Sequence, residues 1–175
     1  MKLTIPYHPS LQYSETGYHK TYEIYKDNII AQGFQLSNNP DDWLGEGIYF
    51  WDSLDNANWW KSNSKSLKSC IFECKLHCDK EKYLNLDIEM DKLESFGKQY
   101  LIEMAHKKCK KPDFKDNNKA KKFFCDLYCR KNNIEILAFT FKHNSINNVG
   151  FVTGSIERRQ ICVRNNKNIV VLSVL

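Results

Sequence analysis

The sequence lacks any long apolar run, and this absence weighs against a membrane or secreted protein. A spanning helix needs roughly 20 consecutive apolar residues, and no stretch of the 175-residue chain approaches that length. The first ten residues also lack the apolar core of a signal peptide. We therefore expect a cytoplasmic protein that does not act at a membrane.

The composition does not match that of a disordered or collagen-like chain. Apolar residues make up 42% of the sequence, aromatic residues 13% and charged residues 27%, which is enough apolar material to build a core. A length of 175 residues lies within the usual size of one domain. We expect a single domain over residues 1–175.

The seven cysteines include no C-x2-C pair of the kind that zinc ribbons use. Cys70, Cys74 and Cys78 have the spacing of one strand face, and Cys125 and Cys129 lie one helical turn apart, so a metal site is conceivable. Free cysteine is more often a small buried hydrophobe. We expect reduced thiols and no metal.

Positive charge is concentrated in one segment. Residues 105–131 hold ten Lys or Arg against three Asp, a net charge of +7, which leaves −2 for the rest of a chain whose total is +5. Such a segment is typical of a surface that meets phosphates, although solvated helix ends joined by a Lys-rich turn would look the same. The candidate nucleic-acid-binding residues are Lys107, Lys108, Lys110 and Lys111.

Hydrophobic periodicity predicts a mixed α+β protein without regular βαβ alternation. The chain begins irregularly, and Ser-Glu-Thr-Gly at 14–17 indicates a break. The predicted helices span 22–31, 53–60, 90–108 and 119–131, and the predicted strands span 43–51, 70–78, 83–87, 134–141, 160–163 and 169–175.

An ordered series of short motifs occupies the first third of the chain. It runs from His-x-Thr at 19–21 through Gly-Phe at 33–34 and Gly-x-Gly-Ile-Tyr-Phe at 45–50 to Asn-Ala-Asn-Trp at 56–59. The series resembles the catalytic domain of ADP-ribosyltransferases of the poly-ADP-ribose polymerase and diphtheria-toxin type. Their pattern runs His-Gly-Ser or Thr, Gly-x-Gly-Ile-Tyr-Phe and Ser-Ala-x-Tyr. The resemblance implies an α+β fold in which two small mixed or antiparallel sheets form an NAD+-binding cleft with flanking helices.

The resemblance also implies roles for residues at the start of the series. His19 would donate a hydrogen bond to the adenine-side ribose of NAD+, and the backbone at Lys20 and Thr21 would hold the nicotinamide carboxamide. Lys20 replaces the family's glycine and crowds the pocket. Gly47 would let the backbone come close to the cofactor, and Tyr49 would stack on the nicotinamide ring. A core aromatic on a strand remains the alternative for Tyr49.

Two further positions extend this implied pocket. Asn56 stands where the family has a serine that bonds the carboxamide, and its side-chain amide offers similar chemistry. Trp59 stands where the family has a second stacking tyrosine, once the intervening turn is shortened by one residue. The neighbouring pair Trp59 and Trp60 would equally suit an ordinary core.

The third catalytic position of the family is a glutamate that opens a strand near the C-terminus. In this chain the corresponding register places Gln160 there, and Glu157 is the nearby carboxylate. A carboxylate both holds the ribose 2′-hydroxyl and opposes the oxocarbenium charge, whereas glutamine does only the first. We expect Gln160 to be the neutral holder and keep Glu157 as the candidate base. The alternative is that both are surface residues beside Arg158 and Arg159.

Taken together, the resemblance predicts a mono-ADP-ribosyltransferase that uses NAD+ as co-substrate and needs no metal. The basic segment favours RNA or DNA over protein as the acceptor. The small size suits a bacterial or phage toxin or defence effector, with an antitoxin or inhibitor protein as a further partner. The alternatives are a catalytically silent module that binds NAD+ or ADP-ribose, a protein-modifying ADP-ribosyltransferase, and an enzyme similar to the RNA 2′-phosphotransferases.

Overall fold

A computed structural model describes residues 11–60, 67–110, 112, 114, 116–146 and 152–175. These residues form seven β-strands and four α-helices. The strands are β1 (Gln12–Tyr22), β2 (Ile48–Trp51), β3 (Ser69–Asp79), β4 (Tyr83–Asn85), β5 (Ile136–Ile146), β6 (Val152–Val163) and β7 (Ile169–Val174). The helices are α1 (Lys26–Gln32), α2 (Leu54–Trp59), α3 (Leu86–His106) and α4 (Asn117–Asn132), with short 3-10 turns at Glu23–Tyr25, Lys80–Lys82 and Asn166–Asn168.

The strands form one mixed sheet in the order β4-β5-β6-β2-β1-β3-β7, so the expectation of two separate sheets is wrong. Neighbouring strands are antiparallel except for the parallel pair β4 and β5. The weakest junction is between β1 and β2, whose described residues pair at one position, Tyr18 with Trp51. A four-stranded half and a three-stranded half therefore meet at this narrow junction. The α+β class is confirmed.

The first strand corrects the predicted irregular start. Residues 12–22 pair with β3 along their whole length, from Gln12 opposite Asp79 to Tyr22 opposite Ser69. Local turn chemistry indicated a break here, but the long-range ladder with β3 prevails over local preference. Gly17 is a point of close packing on this strand, because an added Cβ would lie 2.6 Å from a methyl carbon of Leu76.

The two faces of the sheet bury separate apolar clusters. On the first face, which we call the α1 face, Ile29 of α1 packs with Phe34, Phe50 and Phe72. On the second face, which we call the α3/α4 face, Leu93 and Cys125 pack with Leu137 and Cys162, among others. A smaller cluster of Trp51, Ala57 and Ile71 covers the same side beside α2. Side-chain alternation along each strand therefore decides which cluster a residue joins.

Six of the seven cysteines are buried, as expected, whereas Cys109 is exposed. Cys70, Cys74 and Cys78 share the α1 face, while Cys125 and Cys129 lie on α4. In the described part of the chain no group of three or more His, Cys, Asp or Glu side chains is placed to hold a metal ion. No helix among the described residues is long and apolar enough to cross a membrane.

Other predicted elements survive with altered bounds. The helices predicted over 90–108 and 119–131 correspond to α3 and α4, which begin four and two residues earlier, at Leu86 and Asn117. The aromatic strand predicted over 43–51 is only Ile48–Trp51, because the preceding residues form a turn that closes on Gly45 at φ +91°. The helix predicted from residue 22 begins at Lys26, after the end of β1.

Candidate functional site

The candidate site lies where β1 and β2 part. Beyond the Tyr18–Trp51 pair the two strands are no longer joined by backbone pairing, and the ring of His19 spans the gap instead. His19 Nδ1 lies 2.8 Å from the backbone oxygen of Tyr49. The histidine therefore occupies the junction between the two halves of the sheet.

This contact determines which ring nitrogen of His19 carries the proton. A carbonyl oxygen only accepts hydrogen bonds, so Nδ1 of His19 must be the protonated nitrogen that donates to Tyr49. Burial lowers the pKa of His19, although the bond to the Tyr49 carbonyl opposes that shift. The ring is consequently neutral near pH 7, and its Nε2 is a hydrogen-bond acceptor. This corrects the expectation that His19 donates to a ribose hydroxyl, because a neutral ring with this tautomer accepts at Nε2.

A pocket of about 250 Å³ with a mixed polar and apolar lining adjoins His19 on the α1 face. Its lining residues are His19, Thr21, Tyr25, Asn28, Ile29, Phe34 and Gln35. Phe34 is held in place by Asn166, which accepts from the Phe34 N–H and donates to its carbonyl, both at 2.8 Å. The structure thus brings together His19, Thr21 and the Gly-Phe motif at 33–34. Asn28 and Gln35 add amide groups that sequence reasoning did not single out.

The ring of Tyr49 lies on the other side of the sheet. Tyr49 joins the α3/α4-face cluster, and its hydroxyl donates to the carbonyl of Gly45 at 2.7 Å. Burial is the main reason that the pKa of Tyr49 is raised. His19, in contrast, packs against Phe34 and Phe50 on the α1 face, with ring centroids 5.0 and 5.5 Å away.

The two side chains therefore do not face each other across one crevice, as the sequence led us to expect. Tyr49 and Phe50 are adjacent on β2, and adjacent side chains point to opposite faces of a strand. His19 lies with Phe50, so the part of Tyr49 that meets His19 is its backbone. A ligand that touched both side chains would have to pass through the gap between β1 and β2.

Asn56 is engaged in internal hydrogen bonds. Its side-chain nitrogen donates to Asp52 at 2.8 Å, and its side-chain oxygen accepts from Arg158 at 2.7 Å. Trp59 stacks on the same Arg158, whose guanidinium carbon lies 3.7 Å from the centre of the indole ring. The structure brings Asn56 and Trp59 together through an arginine, and binding of a carboxamide at Asn56 would replace one of these bonds.

Arg158 is the residue that sequence reasoning underestimated. It is only 9% exposed, although it was grouped with surface residues of the last predicted strands. Its position two residues before Gln160 was the available signal, because residues two apart on a strand share a face. The α3/α4 face beside Gln160 consequently carries a buried cation.

Gln160 and Glu157 lie on opposite faces of β6. Gln160 stands between Trp51 of β2 and Phe139 of β5 in the strand register, on the α3/α4 face with Tyr49. Glu157 points to the other side of the strand, where its carboxylate pairs with Lys142 at 3.0 Å and is more than half exposed. Only Gln160 shares the side of the sheet on which Tyr49 lies.

Lys20 and Gly47 are explained by packing. Lys20 lies on the α3/α4 face and donates to the carbonyl oxygens of Asn58 and Trp60, at 3.3 and 3.2 Å, near the end of α2. Gly47 bridges to Ser37 by two backbone hydrogen bonds, and a Cβ added to it would collide with Cys162. The glycine is required by the approach of β2 to β6.

The candidate nucleic-acid-binding lysines follow the end of α3. Lys107, Lys108 and Lys110 are exposed, and Lys111 lies outside the described residues. After a kink at Glu89, α3 continues from Met90 to His106 over 17 residues, about 25 Å. These lysines are therefore about that far from Met90.

The charge pair that organises the loop before β2 was also missed from sequence. Arg164 donates to Asp126 at 2.7 Å and to the Leu44 carbonyl at 2.8 Å, and the same Asp126 oxygen accepts from the Glu46 N–H. This network fixes the turn at Gly45 that receives the Tyr49 hydroxyl. No sequence signal links residues 38 positions apart, so it is a property of the fold.

Comparison with known proteins adds no assignment. No protein-family model matches the chain, and a search of curated proteins finds no match.

Proposed function

We propose that the protein is an NAD+-dependent mono-ADP-ribosyltransferase. The observation that carries the proposal is the pocket beside His19, at the point where the two halves of the sheet part. The motifs that line it follow one another in the order seen in that enzyme family. Ligand sites for drug-sized molecules measure about 300 to 1,000 Å³. A pocket of about 250 Å³ therefore suits one half of a dinucleotide rather than the whole.

In this proposal the adenosine half of NAD+ occupies the His19 pocket. His19 Nε2 accepts a hydrogen bond from a ribose hydroxyl, while Nδ1 remains bound to the Tyr49 carbonyl. Thr21 and Asn28 add further polar groups in the same pocket. The nicotinamide half then extends past the β1/β2 junction toward the side where Tyr49 and Gln160 lie.

The reaction breaks the bond between ribose C1′ and the nicotinamide nitrogen. The bonding electron pair leaves with nicotinamide, the ribose carbon becomes oxocarbenium-like, and an acceptor oxygen or nitrogen then bonds to C1′ and releases a proton. Gln160 would hold the 2′-hydroxyl in this step. Rate then comes from positioning and from the electrostatics around the cation.

A silent NAD+- or ADP-ribose-binding module is the second candidate, and a specific observation favours it. The group beside Gln160 on the same face is the buried cation Arg158, which would oppose the positive charge that develops on the ribose. Glu157 lies on the opposite face and is paired with Lys142. The carboxylate nearest to Gln160 along β6 therefore does not share its face.

Nicotinamide release separates the two candidates. The protein is incubated with NAD+ and the products are resolved by chromatography. An active transferase releases nicotinamide, and labelled NAD+ marks one of three separate pools of RNA, DNA and protein. A silent binder shows NAD+ binding in calorimetry but releases no nicotinamide.

The Gln160→Glu variant sharpens this test, with Gln160→Leu as its matched control. A glutamate at 160 restores the charge that opposes the ribosyl cation, and Arg158 nearby would keep it ionised. We expect nicotinamide release to rise several-fold in the glutamate variant and to fall in the leucine variant. Equal rates of nicotinamide release in both variants would show that Gln160 takes no part in the reaction.

A further inference from the structure

A cavity of about 730 Å³ lies at the edge of β5, beyond the residues that β4 covers. Trp43, Phe139 and Phe141 contribute its aromatic lining, together with Leu86 and Met90 of α3. The proposed reaction does not use it.

The aromatic rings of this cavity form a connected group. Trp43 meets Phe141 edge-to-face with ring centroids 4.7 Å apart, and Phe141 meets Phe139 at 4.9 Å. All three rings are only half-buried, so each keeps surface available to a ligand. Rings held in this way offer flat surfaces on which another planar group can stack.

The cavity adjoins the proposed reaction centre. Phe139 of β5 stands directly opposite Gln160 of β6, and Phe141 stands opposite Arg158. Directly opposed side chains on an antiparallel pair have Cβ atoms about 5 Å apart on the same face. A group stacked against Phe139 would therefore lie next to the side chain expected to hold the ribose.

The charged side chains that line the cavity are paired, and one lysine lies beside its aromatic wall. Lys121 Nζ lies 5.3 Å from the centre of the Trp43 ring. The two carboxylates in the lining are already paired, Asp87 with Arg159 at 2.7 Å and Glu157 with Lys142 at 3.0 Å. Among the described lining residues no carboxylate remains unpaired to repel a phosphate.

We propose that this cavity receives an unpaired base of a single-stranded nucleic acid, which is the acceptor of ADP-ribose. The inference rests on the proposed function for the transfer itself. The base stacks on the Phe141 ring and meets Trp43 edge-on, and Lys121 contacts the phosphate backbone. Stacking on aromatic side chains tolerates any base, so we expect little sequence preference from this contact.

The proposal moves the acceptor contact away from the lysines singled out by composition. Lys107 and Lys108 follow α3 at its far end, about 25 Å from Met90, which lines the cavity. They serve as matched controls for Lys121, since all three are exposed lysines.

The test measures binding of fluorescein-labelled 12-nucleotide single-stranded RNA and DNA by fluorescence anisotropy, without NAD+ and over a range of salt concentrations. Phe141→Leu keeps apolar volume and removes the stacking ring, and we expect it to weaken binding about tenfold. Lys121→Gln should lower the slope of log affinity against log salt by about 1. The double variant Lys107→Gln/Lys108→Gln should leave affinity within about twofold of the wild type. Circular dichroism confirms that each variant is folded.

The outcomes distinguish this inference from the proposed function. Unchanged oligonucleotide binding in folded Phe141→Leu, or a loss confined to the Lys107/Lys108 variant, would overturn the cavity assignment. Labelling of the protein pool alone would also overturn it. The protein could bind oligonucleotides in a way that depends on Phe141 and yet show no NAD+ binding in calorimetry. That result would support the nucleic-acid site and contradict the proposed transferase activity.

Discussion

The two sides of the β1/β2 junction differ in how their polar groups are used. On the His19 side, a neutral imidazole and the amides of Asn28 and Gln35 line a pocket of about 250 Å³. On the Tyr49 side, the tyrosine hydroxyl and the Asn56 side chain are engaged in internal hydrogen bonds. One motif series therefore lines a pocket on one face and forms a supporting hydrogen-bond network on the other. Substitutions should therefore alter affinity on the first side and stability on the second.

The largest effect is expected from Arg164→Ala, on the Tyr49 side. The change leaves Asp126 without its cation and the Leu44 carbonyl without its donor, in a part-buried setting. Breaking one partner of a buried pair costs about 3 to 5 kcal/mol, and we expect the lower end because some solvent reaches this pair. Urea denaturation measures the free energy of unfolding.

Lys167→Ala is the control for Arg164→Ala. Lys167 pairs with Glu135 at 2.7 Å, but its side chain is 58% exposed. Surface pairs contribute about 0 to 1 kcal/mol, so Lys167→Ala should lower the free energy of unfolding much less than Arg164→Ala does. Equal losses would show that the Arg164 network does not support the Tyr49 side.

His19→Ala tests the other side of the comparison. It removes the proposed acceptor for a ribose hydroxyl and leaves the Tyr49 carbonyl without its donor. We expect the Kd for NAD+ to rise about tenfold, the equivalent of about 1.4 kcal/mol. Isothermal titration calorimetry measures this Kd. The control is His77→Ala on β3, which should bind NAD+ like the wild type. A shared loss of affinity would argue against a specific role for His19.

The pH dependence of stability follows from the same imidazole. The pKa of His19 is lowered in the folded state from its ordinary 6.5, so below pH 6.5 the unfolded chain binds more protons than the folded chain. Stability should therefore fall as the pH drops below 6.5, and NAD+ affinity should fall with it as Nε2 becomes protonated. Urea titrations and calorimetry at pH 5 to 8 check both. In His19→Gln, which can still donate to the Tyr49 carbonyl, the stability curve should be flatter. An unchanged curve would exclude His19 as its cause.

The smallest effect is expected from Tyr49→Phe. The variant loses the 2.7 Å hydrogen bond to Gly45 and keeps the ring. We expect a loss of about 1 kcal/mol in the free energy of unfolding and nearly unchanged NAD+ affinity. Tyr49→Ala removes the ring as well, so comparison of the two variants separates the effect of the ring from that of the hydroxyl. A large drop in NAD+ affinity with phenylalanine would place the hydroxyl in the binding site and contradict the contrast between the two sides.

Much of the local structure was predictable from residue spacing. The alternating run at 70–78 became β3, and the helical patterns near residues 90–108 and 119–131 became α3 and α4. Near neighbours in sequence decide these elements, because the 2.0 and 3.6 periodicities place apolar side chains on one face. The placement of His19 and Thr21 in one pocket, in contrast, follows from alternation along β1, a strand that residue spacing did not predict.

What the sequence determined by itself is the set of local elements, the basic segment and the order of motifs from residue 19 to residue 59. Only the tertiary structure decided that residues 12–22 form a strand, that the rings of His19 and Tyr49 lie on opposite faces, and that Arg158 is buried beside Gln160. Each of these depends on which distant strand supplies the partner and in which register. A shift of one residue in that register exchanges the two faces, and local spacing carries no record of it.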